Sequence, residues 1–323
     1  MDPRDSIRFS YPHIFWTDHA REAIKDAIDS GWISISQNVE RLEKTCAEIF
    51  EVEFVIACSS ATQGLAISAR AAGWRDMKVG LPAFTWPSTL YALEANNCQP
   101  VYADIDPRTW LMDPATLAEP VDAYMPVDVF GNQWLAAADD RTPVIVDAAH
   151  GFGLPQLGRR GLFEVVSLSH TKIPTAGEGG LILTRDRGLA EEATELRRLA
   201  ARMNEFCAIV GLESISQYGE MVARRAEIMD QYDGELKIAH KRQEILTASS
   251  NSVYALRIED ASLRQRLGRK LAENRVEYKI YYDPLCQGLP ETDRLYEQVF
   301  CLPVYPRIKE HLPFIIGLVN SCI

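Results

Sequence analysis

Positive charge is scarce in this chain of 323 residues: 34 Lys and Arg face 45 Asp and Glu, a formal net charge of −11 at pH 7. A nucleic-acid footprint needs clustered basic residues, so that partner is excluded. Long hydrophobic runs are missing as well, which excludes a span across a bilayer and a membrane partner. The opening Met1-Asp2-Pro3-Arg4-Asp5 lacks the basic-then-apolar order of a secretory leader, and the cytoplasm is the expected compartment. No Cys-x-x-Cys pair occurs. The seven cysteines (Cys46, Cys58, Cys98, Cys207, Cys286, Cys301 and Cys322) are odd in number and widely scattered. That pattern supports neither a disulfide framework nor a metal site, and most of them read as small buried apolar residues. Also absent are internal repeats and low-complexity linkers. Neither a Gly-x-Gly-x-x-Gly dinucleotide turn nor a Gly-Lys-Ser/Thr phosphate loop is present, which removes the nicotinamide dehydrogenases from consideration.

What remains is a chain with 47% hydrophobic residues, enough for one large core or a large domain with a smaller one attached. Short apolar runs at 54–58, 101–104, 123–127, 144–147, 165–168 and 181–184 read as strands, several without polar alternation, as in buried parallel sheets. Segments 62–72 and 86–95 are long enough for crossover helices, so the fold class is α/β with a mostly parallel sheet. From 189 to 232 the pattern turns helical, with a charged turn at Arg224-Arg225-Ala226-Glu227. After it come a strand at 252–258, a helix at 261–274 and a strand at 276–282. The expected division is a large domain over 1–232 and a small α+β domain over 233–323.

In open α/β sheets ligands sit beyond the carboxyl ends of the strands, and four polar segments fall at such ends. Ser59-Ser60-Ala61-Thr62 follows a strand and opens a helix, a setting that binds phosphate through free N–H groups or merely caps the helix. Trp86, in an aromatic-rich stretch, would cover a planar ring or fill the core. Asp147 ends an apolar strand and is followed by His150. A buried aspartate there would keep a pyridine nitrogen protonated, although a turn or cap is the commoner use of such a residue. Lys172 follows the hydroxyl-rich Ser167-Leu168-Ser169 and precedes Glu178-Gly179-Gly180. Most lysines are solvated charges, but a Schiff-base lysine needs limited solvation and glycine-lined room for its cofactor.

Together these segments resemble the DegT/DnrJ/StrS family of pyridoxal-5'-phosphate (PLP) dependent sugar aminotransferases. Order and spacing match in the phosphate turn, the stacking aromatic, Asp-x-x-His and Ser-x-x-x-x-Lys. The Ser-Ser-Ala-Thr, Thr-Trp-x-Ser-Thr and Asp-Ala-Ala-His elements are most similar to its UDP-4-amino-4-deoxy-L-arabinose branch. The resemblance extends to Pro126-Val127-Asp128, Arg202-Met203-Asn204, Arg224-Arg225 with Tyr232, and Tyr281-Tyr282-Asp283-Pro284, so it covers nearly the whole chain. It implies the aspartate-aminotransferase fold (fold type I) and a homodimer with shared active sites. It further implies an amino-acid donor, glutamate, and a keto-sugar acceptor carried on a nucleotide, in amino-sugar biosynthesis. By the same resemblance Lys172 would hold PLP as a Schiff base and move the proton, with Asp147 pairing with the ring nitrogen. Trp86 would stack on the ring, His150 would lie near its phenolic oxygen, and Ala61, Thr62 and Ser167 would bind the phosphate. Tyr281 and Tyr282 are the expected substrate contacts.

Three departures stand out. A loop before Arg202 is shortened, and Ala200 replaces the Asn that in relatives reaches the neighbouring subunit's cofactor phosphate, which leaves Asn204 as a substitute. That loop also borders the sugar-nucleotide site, so a keto substrate without a nucleotide is an alternative, as is a non-catalytic or regulatory member of the fold. Related dehydratases have His at the Schiff-base position, and Lys172 speaks against that chemistry. Asp128 stands where the family has His, a change the sequence does not explain.

Overall fold

The computed structural model describes residues 6–12, 16–135 and 142–323. Helices α1 (Asp18–Ser30) and α2 (Gln37–Phe50) lead into strand β1 (Phe54–Cys58) and helix α3 (Ala61–Ala71). Next come β2 (Lys78–Pro82), α4 (Ser88–Glu94), β3 (Gln99–Ala103), β4 (Ala123–Tyr124), β5 (Ile145–Asp147), β6 (Phe163–Ser167) and β7 (Gly180–Thr184). Three helices follow, α5 (Arg187–Ala200), α6 (Glu205–Ser216) and α7 (Tyr218–Glu235), then β8 (Tyr254–Arg257), α8 (Ala261–Glu273), α9 (Pro290–Gln298), β9 (Val299–Leu302) and α10 (Leu312–Asn320).

Four strands pair in the order β1-β7-β6-β5 and three in the order β3-β2-β4. Parallel bridges Tyr124–Val144 and Val127–Asp147 join the two sets into one layer. Within this layer only β7 runs against its neighbours β1 and β6, and the layer's other described pairings are parallel. The lack of alternation in these strands has a physical cause, since both faces are covered. On β5, Val146 joins a core that includes Leu42 and Phe50 of α2, whereas Ile145 joins one that includes Leu65 of α3. A further core gathers Ile228, Met229 and Tyr232 of α7 with β8, β9, α8 and α10.

Two sequence expectations need correction. Arg224–Glu227 form no turn; α7 runs through them to Glu235, because the buried face Met221, Arg225, Ile228, Met229 and Tyr232 keeps helical spacing across the charged stretch. Segment 276–282 is no continuous strand. It switches partner, with Val276 bridging Ile7 and Lys279 bridging Cys301. No described helix is long and apolar enough to cross a membrane.

Candidate active site

Three strand ends converge on one cavity of ≈ 370 Å³. Strand β1 is followed by Ser60, whose hydroxyl accepts from Gln63 N at 3.2 Å and starts α3. The first-turn N–H groups of Ala61 and Thr62 lie ahead of the α3 ladder and have no acceptor among the described residues, so they are free for an anion. Gly180, at the start of the neighbouring β7, is what lets this turn come so close: a Cβ there would lie 2.6 Å from Ala61 N. Thr62 Oγ1 shares a 2.7 Å hydrogen bond with Ser88 Oγ.

Asp147, the last residue of β5, is buried. Its Oδ2 accepts from Thr89 Oγ1 at 2.7 Å and its Oδ1 from Ala149 N at 3.1 Å. Burial pushes its carboxyl above the ordinary aspartate value, while the Thr89 hydroxyl, the Ala149 amide and the charge of Lys172 pull it back. A buried carboxylate held in this way is set to meet a cationic partner rather than water.

Ser167 ends β6, and Lys172 follows it in the connection to β7. Lys172 Nζ lies 2.6 Å from His150 Nε2. Burial lowers the amine from 10.5 to about 8, with Asp147 opposing the shift and Arg225 adding to it. His150 is driven well below its ordinary value by burial and by the cations Lys172 and Arg225, so its ring is neutral. Below pH 8 the Lys172 ammonium therefore donates to Nε2, and Nδ1–H donates to Ser252 Oγ.

Tyr282 is buried against Phe84 and Phe130, with its hydroxyl 3.5 Å from His150 Nε2, and Tyr281 packs on Phe9. Trp86 is 58% exposed, which rules out the core reading for it; its ring lies edge-on to Tyr282 at the cavity. All nine residues singled out in the sequence (Ala61, Thr62, Trp86, Asp147, His150, Ser167, Lys172, Tyr281 and Tyr282) thus line one space. Thr89, Ser252 and a role for Arg225 escaped sequence reasoning; the available signal was a charged residue within the apolar stripe of α7. Asn204 spends its side-chain oxygen capping α6, accepting from Cys207 N at 2.9 Å.

The depressed amine has a measurable consequence. In cofactor-free protein, capture of an aldehyde by Lys172 should rise with pH and level off just above 8 instead of near 10.5. Removing the negative charge in Asp147→Asn should move that midpoint to lower pH, as loss of an anion favours the neutral amine. Absorbance-monitored uptake across pH 6 to 11, in steps of about half a unit, would show it; a midpoint above about 10 would contradict the site's electrostatics.

The sequence matches the DegT/DnrJ/EryC1/StrS aminotransferase family over residues 16–313. GDP-perosamine synthase of Escherichia coli O157:H7 is 26% identical, with 94% of this chain and 96% of that enzyme aligned. Among solved structures, DesI crystallised with its TDP-sugar product superposes with a TM-score of 0.89 at 25% identity, covering 98% of this chain and 92% of that one. The sugar aminotransferase Spr1654 of Streptococcus pneumoniae in its PLP form gives 0.86 at 21% identity, covering 98% and 97%.

Proposed function

As the chain belongs to the DegT/DnrJ/EryC1/StrS aminotransferase family and is a PLP-dependent sugar aminotransferase, we propose that it takes the amino group of glutamate and delivers it to a nucleotide-linked keto-sugar. The observation that carries this reading is a pair of opposite chemistry in one cavity: a depressed lysine amine, Lys172, and a buried carboxylate, Asp147, that pairs with no side-chain cation among the described residues. The residues present fit the cofactor. Free N–H groups at Ala61 and Thr62 with the Ser167 hydroxyl suit its phosphate, Asp147 suits its ring nitrogen, and Trp86 and His150 suit the ring face and phenolic oxygen. When bound, PLP supplies an aldehyde for the donor's amine and a protonated ring that stabilises the charge left when the α-proton departs.

Within that setting Lys172 takes the α-proton from the donor and returns a proton at the cofactor carbon, which its near-neutral amine suits it to do. His150, held neutral and oriented by Ser252, accepts from Lys172 and fixes where its amine points. The acceptor side rests on the relatives: DesI carries a TDP-sugar product and the E. coli enzyme is named for a GDP-sugar. The short 201–204 connection between α5 and α6 favours a second reading, a keto substrate without the nucleotide. For assembly, the family reading implies a homodimer, and exposed Trp32, Ile33, Trp86 and Tyr91 are large apolar groups that such an interface would cover.

The test is spectroscopic. PLP-loaded protein should change its visible absorbance on addition of glutamate, and a keto-sugar should restore it. Borohydride treatment before glutamate should place the label on Lys172; a label elsewhere defeats the assignment. A response to glutamate reversed by free keto-sugars but not by nucleotide-linked ones would decide for the second reading. Asp147→Asn should keep cofactor uptake but slow the glutamate half-reaction by about 100-fold, the scale of one lost electrostatic stabiliser. Single-turnover absorbance measures it, and a rate within a few-fold of wild type would remove Asp147 from the chemistry.

A further inference from the structure

Arg225 occupies a position where a charge is costly. It lies midway along α7 in a buried stripe otherwise made of Met221, Ile228, Met229 and Tyr232, and is 4% exposed. A guanidinium in such a place normally carries a carboxylate partner. Here none pairs with it among the described residues. One Nη1 donates to Asn251 O at 3.2 Å, and the buried Nε has no acceptor. The buried guanidinium therefore keeps at least its Nε–H without an acceptor among the described residues.

Position identifies what is missing. Arg225 lines the cavity that holds Lys172, and its charge reaches both Lys172 and His150, disfavouring a proton on either. Its acceptor Asn251 precedes Ser252, whose hydroxyl meets His150 Nδ1, and His150 Nε2 meets Lys172 Nζ, so Arg225 lies at the amine end of the cavity. An amino donor must bring its nitrogen to where the Lys172 nitrogen stands, and in an α-amino acid the carboxylate is attached to the same carbon as that nitrogen. Resting on the proposed aminotransferase reading, we infer that Arg225 anchors the α-carboxylate of the amino donor, so that the carbon carrying it faces Lys172. A planar fork matches a carboxylate bidentately, and the pair would satisfy the unmet donors of α7. This makes Arg225 the residue that selects α-amino acids over simple amines.

The test uses the PLP-loaded enzyme and Arg225→Met, with Arg225→Lys as the conservative variant. Methionine restores the apolar stripe, so R225M should melt at a higher temperature than wild type, whereas loss of a structural ion pair would lower it. Glutarate, a dicarboxylate without an amine, should raise the melting temperature of wild type and leave R225M unmoved. The glutamate concentration for half-conversion should rise about 100-fold in R225M, and R225K should recover part of it. The response to 4-aminobutyrate, which lacks the α-carboxylate, should differ little between wild type and R225M. A variant that melts lower, binds glutarate and answers glutamate as wild type does would overturn the inference. If wild type answers no amino acid yet glutarate still distinguishes wild type from R225M, the anion site stands and the donor reading falls.

Discussion

Lys172→Ala should lower transamination by at least about 10⁴-fold, roughly 5.5 kcal/mol in the barrier, while leaving the protein folded. Two losses combine. A positioned general base alone accounts for about 10²–10⁴-fold, and removing the nucleophile that exchanges with the incoming amine adds to it. The fold should survive because the side chain is half-buried and its one side-chain hydrogen bond among the described residues is to His150, which keeps Ser252. Lys172→Arg should be no better than Ala, since a guanidinium stays protonated and can neither attack nor accept a proton. Added methylamine should restore a fraction of the rate in Lys172→Ala and nothing in Asp147→Asn. Steady-state assays with glutamate would decide; activity within about 100-fold of wild type would mean another group is the base.

The route from sequence to this site was short because its parts lie at consecutive strand ends. Asp147 closes β5 with His150 three residues on, Ser167 closes β6, and Lys172 follows within five residues, so an α/β reading places them together before any packing is known. Apolar runs without alternation also announced a sheet covered on both faces. Strand β2 was hidden by its composition. Lys78, Gly80 and Pro82 all argue against a strand, yet β2 pairs with both β3 and β4, and a Cβ on Gly80 would crowd the Tyr124 ring at 3.0 Å. The direction of β7 was equally hidden, as a buried apolar strand looks the same in either orientation. The site roles of Arg225 and Ser252 went unread for a different reason. Both residues join His150 and Lys172 around the cavity from more than 50 residues away, and tertiary packing alone brings them there.

Asp128 shows how a residue opaque in sequence becomes a firm prediction in three dimensions. Both its oxygens accept from Arg160, Nη1 to Oδ1 and Nη2 to Oδ2, each at 2.8 Å, and Arg160 also bonds Glu164 through Nε at 2.9 Å and Nη2 at 2.6 Å. The cluster is buried, and one cation serves two carboxylates. Burial outweighs the pull of Arg160 on Glu164 and raises that carboxyl to about 7. Asp128 N in turn donates to Asp147 O at 3.0 Å, which ties the cluster to the strand end beneath the site. Arg160→Met should therefore destabilise the protein by about 3–5 kcal/mol, because it leaves two carboxylates in the dark without their cation. The sign of the pH dependence follows from the raised carboxyl. A folded-state pKa above the unfolded one penalises the fold at high pH, and the penalty is relieved as pH falls through the folded value. Wild type should gain from Glu164 as pH drops from above 7 towards its ordinary 4.5. Arg160→Met should gain more over the same range, as Glu164 then loses the cation that holds its carboxyl down and takes up its proton more readily. Adding Glu164→Gln should return part of the loss in Arg160→Met, and the coupling between the two substitutions measures the ion pair itself. Urea unfolding of the four proteins at about pH 8 and pH 5.5 would establish this. A loss in Arg160→Met below about 1 kcal/mol, or one that deepens as pH falls, would show that the cluster does not hold the strand end in place.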